Sequence, residues 1–294
     1  MKEDKPYVQT YSIVAGSLAC NAKCPYCVSK MTPHQGGEIK PSDVNWRNFD
    51  LGAKLSKEWG AATALITSKG ESTLFPEQLT EYMRGLKKHD FPMVELQTNG
   101  IKLMDNSYDK HLAKWYELGM TTISLSMTHY DDSKNNQIYQ PEKKTDFNLE
   151  GLIEKLHDHG FSVRLSCIMF KDYIDSPEEV QNLIDFSKEN EVEQLTVRSV
   201  ERPSCSENVE VSNWVDGHKL DDSVVSNVRD YLDEGGTRLR ELVHGAVVYD
   251  YEGQNICLSN CLTSDAKDSS IRQLILFPDG HVRYDWQHKG AILF

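Results

Sequence analysis

The sequence predicts an α/β fold: a partial (β/α)6 barrel carrying a small C-terminal extension. Three observations point there. Six short apolar segments alternate with longer amphipathic ones. They recur at roughly 30-residue spacing, the length of a strand–helix–strand unit, which implies parallel strands joined by right-handed crossovers. After about residue 202 the alternation stops. The loops after such strands gather at one mouth, where sites of TIM-like barrels lie.

The elements follow in order. Residues 11–15 read as the first strand, and 46–59 carry apolar residues at helical spacing. Residues 62–67 form the second strand, ending in the loop Ser68-Lys69-Gly70-Glu71-Ser72-Thr73. Pro76 opens a helix to about 88, because the first helical turn needs no amide donor. The third strand, 93–97, closes in Thr98-Asn99-Gly100, and a helix covers 108–118. Strands at 122–127, 161–169 and 194–199 alternate with helices at 148–159 and 177–190. Beyond these, 203–222 reads as polar and irregular, 223–242 as a helix, and 246–251 and 272–277 as strands. Pro278-Asp279-Gly280-His281 reads as a turn between β segments. The expected organisation is a core barrel over 8–202 and an extension over 203–294 that covers the barrel mouth.

The 294 residues are enough for one such barrel, and 39% hydrophobic residues supply its core. A formal net charge of −13 repels phosphate backbones, so general nucleic-acid binding is not expected. The charged segment Met1-Lys2-Glu3-Asp4-Lys5-Pro6 leads into no apolar run of signal-peptide length. No stretch approaches the roughly 18 apolar residues that cross a bilayer. A cytoplasmic protein without membrane contact is expected.

Seven cysteines, an odd number, argue against a disulfide framework in such a chain. Three of them form Cys20-Asn-Ala-Lys-Cys24-Pro-Tyr26-Cys27, directly after the first strand. Iron–sulfur clusters take thiolate ligands, and a four-iron cluster on three cysteines keeps one iron open for chemistry. A closed zinc site with His34 as fourth ligand is the alternative, although zinc motifs usually come as ligand pairs.

Cys-x3-Cys-x2-Cys with an aromatic residue before the last cysteine resembles the signature of the radical S-adenosylmethionine (SAM) superfamily. The resemblance spans about residues 8–202. It implies a [4Fe-4S] cluster on Cys20, Cys24 and Cys27 whose open iron chelates SAM. Reductive cleavage of SAM would then release a 5′-deoxyadenosyl radical that abstracts hydrogen from a substrate. It also implies an electron donor such as flavodoxin or ferredoxin, and Tyr26 near the adenine. Gly70 and Glu71 resemble the family's Gly-Gly-Glu-Pro motif, which binds the SAM amino group. Lys69 and Ser72 depart from it. An ordinary loop is the alternative.

Thr98 and Asn99 match the Thr-Asn-Gly found after the third strand in related enzymes. Ser124 and Ser126 alternate on the fourth strand, so both face the barrel interior. The resemblance puts a serine here near the SAM ribose or carboxylate. Arg164 and Ser166 repeat that geometry on the fifth strand. An inward Arg needs an anion, either the SAM carboxylate or a structural carboxylate partner. Arg198 on the sixth strand faces the same choice. His129, Tyr130, Asp131 and Asp132 follow the fourth strand and read equally as substrate contacts or a solvated loop. Cys167 reads as a buried strand residue.

Cys257-x3-Cys261 before the Asp279-Gly280 turn resembles extensions that bind an auxiliary cluster. Tyr284 stands where a later cysteine is expected, leaving Cys205 as the possible third thiolate. The function this predicts is hydrogen abstraction from a small polar substrate, a class that includes nucleotide-like molecules. The alternatives are a peptide substrate, activation of a partner protein, or a non-enzymatic iron–sulfur or zinc protein.

Overall fold

The computed structural model describes residues 6–34, 43–141, 147–203, 206, 208–242, 245–259 and 271–294. The elements run β1 (Val8–Ala15), α1 (Val28–Met31), α2 (Trp46–Glu58), β2 (Thr63–Ser68), α3 (Pro76–Leu86), β3 (Met93–Thr98) and α4 (Asp109–Glu117). Next come β4 (Thr122–Met127), α5 (Asp132–Tyr139), α6 (Leu149–Asp158), β5 (Ser162–Met169), α7 (Pro177–Glu189) and β6 (Gln194–Ser199). The remainder is α8 (Val209–His218), α9 (Asp222–Gly235), β7 (Thr237–Glu241), β8 (Val247–Tyr251), β9 (Gln254–Leu258), β10 (Ile271–Leu276) and β11 (Val282–Arg283).

All six predicted barrel strands are present and pair in parallel, in chain order from β1 to β6. The sheet continues past both ends. β9 adds to β6 in parallel and β10 adds to β1 in parallel. β8 and β7 extend one edge antiparallel, and β11 the other. The full order is β11-β10-β1-β2-β3-β4-β5-β6-β9-β8-β7, an open sheet among the described residues. A six-stranded open sheet leaves the unpaired backbone of two edge strands. Here the C-terminal region pairs with both, so residues after 202 continue the barrel wall.

Alternation divides each strand between a helix-facing and an interior side. Tyr11 lies against Phe49 of α2, ring centroids 6.0 Å apart, and its hydroxyl donates to the Phe49 carbonyl at 2.9 Å. Ile123, Leu125 and Met127 of β4 are likewise fully buried beneath the helices. The opposite face is polar over much of the sheet. Register aligns Gln97, Ser124, Arg164 and Gln194 in one layer, and Ser126, Ser166, Thr196 and Cys257 in the next. Arg198 stands beside Ile168, one layer nearer the mouth. Near β10 the interior turns apolar, where Val14, Ile275 and Phe277 form a separate cluster covered by Trp286.

Two expectations for the extension are corrected. The segment 203–222 contains a helix, α8, whose start is capped by Asn208 accepting from the Val211 amide at 3.0 Å. The helix expected over 223–242 stops at Gly235, and 237–241 is a strand. The pair Gly235-Gly236 breaks the helix, since glycine is costly inside one. The short turn α1 and two longer elements also escaped the sequence pattern. α5 is only weakly amphipathic, and β9 is a five-residue strand recognisable by its partner β6.

Candidate active site

The cysteine loop leaves β1 at the barrel mouth. Cys20, Cys24 and Cys27 are free thiols, each partly buried. Burial, together with nearby Glu71 and Cys27, pushes the Cys20 thiol up to about 11. Burial and the charges of Cys27 and Cys20 push Cys24 up to about 12. Thiols raised as Cys20 and Cys24 are need a cationic group beside them to become thiolates. Among the described residues no three His, Cys, Asp or Glu side chains are grouped to hold a single metal ion. A four-iron cluster makes a different demand, one thiolate for each of three irons. The donor set fits it.

The loop after β2 is built into the cysteine loop. The Glu71 amide donates to the Ala19 carbonyl at 2.9 Å. A Cβ on Gly70 would lie 2.0 Å from that same carbonyl oxygen, so only glycine lets the two backbones meet. Glu71 is 3% exposed and gathers four donors. Its Oε1 accepts from the Thr73 amide at 2.9 Å, the Thr73 hydroxyl at 2.7 Å and the Thr98 hydroxyl at 2.6 Å. Its Oε2 accepts from the Asn99 amide at 2.9 Å. With one donor, Oε2 keeps acceptor capacity for another. Asn99 then reaches the cysteine loop: its Nδ2 donates to Asn21 Oδ1 at 2.8 Å and lies 3.9 Å from Cys20 Sγ. The Asn21 Nδ2 is buried without a partner among the described residues. Gly70, Glu71, Thr98, Asn99 and the cysteine loop are thus one bonded unit.

Tyr26 lies within the cysteine loop, and the other predicted residues lie on β4 to β6. Tyr26 packs between Phe170, 5.8 Å away, and Trp214 of α8, 6.0 Å away. Burial and the neighbouring Cys24 push its hydroxyl well above the usual range. Ser124 and Ser166 are buried on the interior face, and Ser126 is partly exposed there. Arg164 is bonded within the wall. It meets Glu95 at 2.8 Å and Gln194 Oε1 at 2.8 Å. Arg198 donates to the Ser166 hydroxyl, while its buried Nε has no partner among the described residues.

The residues 129–132 are used structurally. The Tyr130 hydroxyl donates to Glu179 at 2.9 Å, Asp131 accepts from the Ser133 amide at 2.7 Å, and Asp132 accepts from the Leu149 amide at 3.0 Å. His129 is 2% exposed. Cys167 is fully buried, as its strand pattern predicts. Cys257 faces the interior beside Thr196, while Cys205 and Cys261 lie outside the described residues.

Sequence reasoning missed three contributors. Lys69 is 8% exposed, its Nζ 2.5 Å from the Thr32 hydroxyl and 5.2 Å above the Trp286 ring. Burial pushes it down to about 8, opposed by the negative charge of Cys27. Its departure from the family motif was the available signal. Trp214 and Trp286 come from the extension, and no sequence pattern links them to the mouth.

No curated protein matches the sequence. Solved structures match in fold. Streptococcus suis SuiB, solved with S-adenosylmethionine, aligns at TM-score 0.62 and 14% identity over 97% of this chain. The chain spans 61% of SuiB's length. AnSMEcpe with bound AdoMet aligns at TM-score 0.58 and 18% identity, covering 96% of this chain and 75% of that one. Methylornithine synthase (PylB) aligns at TM-score 0.54 and 14% identity, covering 89% and 74%. Among the described residues no helix is long and apolar enough to cross a membrane. The radical SAM superfamily model matches residues 16–192, which include the cysteine loop and the four central barrel strands, β2–β5. The chain belongs to the radical SAM superfamily.

Proposed function

We propose that Cys20, Cys24 and Cys27 hold the cluster and that the enzyme removes hydrogen from a small polar substrate inside the barrel. The observation carrying this reading is the bonded unit that joins the Gly70-Glu71 loop, Thr98-Asn99 and the cysteine loop. When bound, the cluster and SAM supply a 5′-deoxyadenosyl radical. The chain's own residues hold and orient. Glu71 Oε2 accepts from the SAM ammonium, a charge-assisted bond in a buried position. Asn99 steadies the cysteine loop. Tyr26 borders the adenine, and Ser124, Ser126 and Ser166 line the polar wall. Arg164, neutralised by Glu95, shapes that wall and keeps the SAM carboxylate as a possible further partner. Trp214 and Trp286 support the reading that residues 203–294 cover the mouth and exclude water.

Arg198 directs the substrate class. Its guanidinium has no carboxylate partner among the described residues and keeps a buried donor unused. Such a group suits an anionic substrate, a carboxylate or phosphate, which includes nucleotide-like molecules. A peptide is the second reading. SuiB was also solved with the precursor peptide SuiA, and its likeness reaches 95% of this chain, extension included. The cysteines are read as reduced thiols of a cytoplasmic enzyme served by a flavodoxin- or ferredoxin-like donor.

The test is 5′-deoxyadenosine release from protein reconstituted with iron and sulfide without oxygen, then given SAM and a strong reductant. Release by the wild type and none by a Cys20, Cys24 and Cys27 triple-alanine variant is expected. Equal release from both would overturn the assignment.

A further inference from the structure

Lys69 occupies a position where the family motif has glycine, and its side chain is nearly inaccessible to solvent, 8% exposed. Among the described residues no carboxylate lies within ion-pair distance of it. Its ammonium has one hydrogen-bond acceptor, the Thr32 hydroxyl, and one ring, Trp286. A buried ammonium so poorly supplied is strongly unfavourable unless an anion stands near it. The two lysines of the cysteine loop, Lys23 and Lys30, are exposed and screened by water instead.

The missing anion is identified by position. Thr32 ends the helical turn that begins at Cys27, so the hydroxyl holding Lys69 belongs to the cysteine loop itself. Lys69 also precedes Gly70, whose Cα abuts the Ala19 carbonyl beside Cys20. Three thiolates outweigh the charge of a dicationic cluster core, and an added electron makes the site more negative still. Trp286 packs on Val14, Ile275 and Phe277, which keeps this side of the ammonium dry and its field unscreened.

We infer that Lys69 is the charge-compensating residue of the cluster, a buried cation that favours its reduced state. The inference rests on the cluster assignment proposed above. A cation interacts more strongly with the more negative redox state, so it raises the cluster's reduction potential. It thereby eases the electron entry that SAM cleavage requires. Charge and burial are among the levers that set such potentials. Family members with glycine at this position lack that cation.

The test compares reconstituted wild type with Lys69→Met, Lys69→Gln and Lys69→Arg. Iron and sulfide content is measured first. The reduced cluster is then followed by electron paramagnetic resonance across a series of poised potentials, without SAM. Both neutral variants are expected to hold a full cluster with a midpoint lower by about 59 mV. That corresponds to a tenfold smaller reduced-to-oxidised ratio at a given poise for a one-electron couple. Lys69→Arg is expected to keep the wild-type value. Neutral variants that lose the cluster while Lys69→Arg retains it would support the same role, read as iron content. An unchanged midpoint at equal cluster content would overturn the inference. So would loss of the cluster in all three variants. Weakened SAM binding with an unchanged midpoint would assign Lys69 to SAM instead. A wild type that assembles no cluster would overturn the parent assignment before Lys69 is reached.

Discussion

The β1–β3 side of the barrel mouth and its β4–β6 side use polar residues in opposite ways. On the first side Glu71 collects four hydrogen bonds and ties three loops together. On the second, Arg198 has Ser166 and a buried Nε without a partner among the described residues. Saturated polar networks rigidify; unsaturated ones are left for a partner or are unfavourable. The difference suits a constant cofactor on one side and a variable substrate on the other. The cofactor side needs thiols, backbone amides and a carboxylate at fixed spacing. The substrate side needs donors whose partner arrives later.

The largest effect is expected at the cysteines. Cys24→Ala should abolish both cluster content and 5′-deoxyadenosine release, read by iron and sulfide analysis and by chromatography. Retained release would break the assignment of the first side. Gly70→Ala comes next, because its Cβ would meet backbone at 2.0 Å, which no side-chain rotation relieves. We expect a loss of about 1–3 kcal/mol in denaturant unfolding, together with reduced iron retention. A wild-type-like Gly70→Ala protein would show that the two loops are not held in contact.

Glu71→Gln keeps the shape but loses the charge and converts one oxygen to a donor facing donors. A destabilisation of about 1.5–3 kcal/mol is expected in the same measurement. Arg198→Met should behave differently. It removes a poorly supplied buried cation, so unfolding should shift by less than about 1 kcal/mol in either direction. If Arg198→Met were as destabilising as Glu71→Gln, the second side would be as fully committed as the first, and the contrast would fail.

The smallest effect is a pH dependence at the end of β4. Burial, with Lys134 beside it, lowers the pKa of His129 below the ordinary histidine value. The folded state therefore disfavours its protonated form, and stability is fullest above the unfolded pKa, about 6.5. The unfolding midpoint should fall as pH drops below that value. His129→Gln should flatten this dependence. A midpoint unaffected by His129→Gln between about pH 7 and 5 would remove His129 from the account.

Much of this molecule was legible in one dimension. The barrel strands announced themselves because each is a short apolar run between amphipathic helices, as at 122–127 and 194–199, where prediction and structure coincide. The cysteine spacing and the Gly-Glu loop were legible because their chemistry depends on residue type at close range. The start of α7 was legible too, with Ser176 accepting from the Glu179 amide ahead of Pro177. The end of α9 was misplaced because the apolar residue Leu239 continued a helical rhythm that Gly235-Gly236 had already interrupted.

By itself the sequence determined what is local: strand and helix identity, the cysteine triad, the superfamily, and the absence of glycine at Lys69. Tertiary structure alone decided what depends on partners distant along the chain. It sent β9 and β10, neighbours in sequence, to opposite edges of the barrel sheet. It paired Arg164 with Glu95, left Arg198 without a carboxylate among the described residues, and brought Trp286 over Lys69. The reason is physical. Periodicity and short motifs report each residue's intrinsic preferences, whereas edge pairing, charge neutralisation and burial depend on which surfaces meet once the chain has closed on itself.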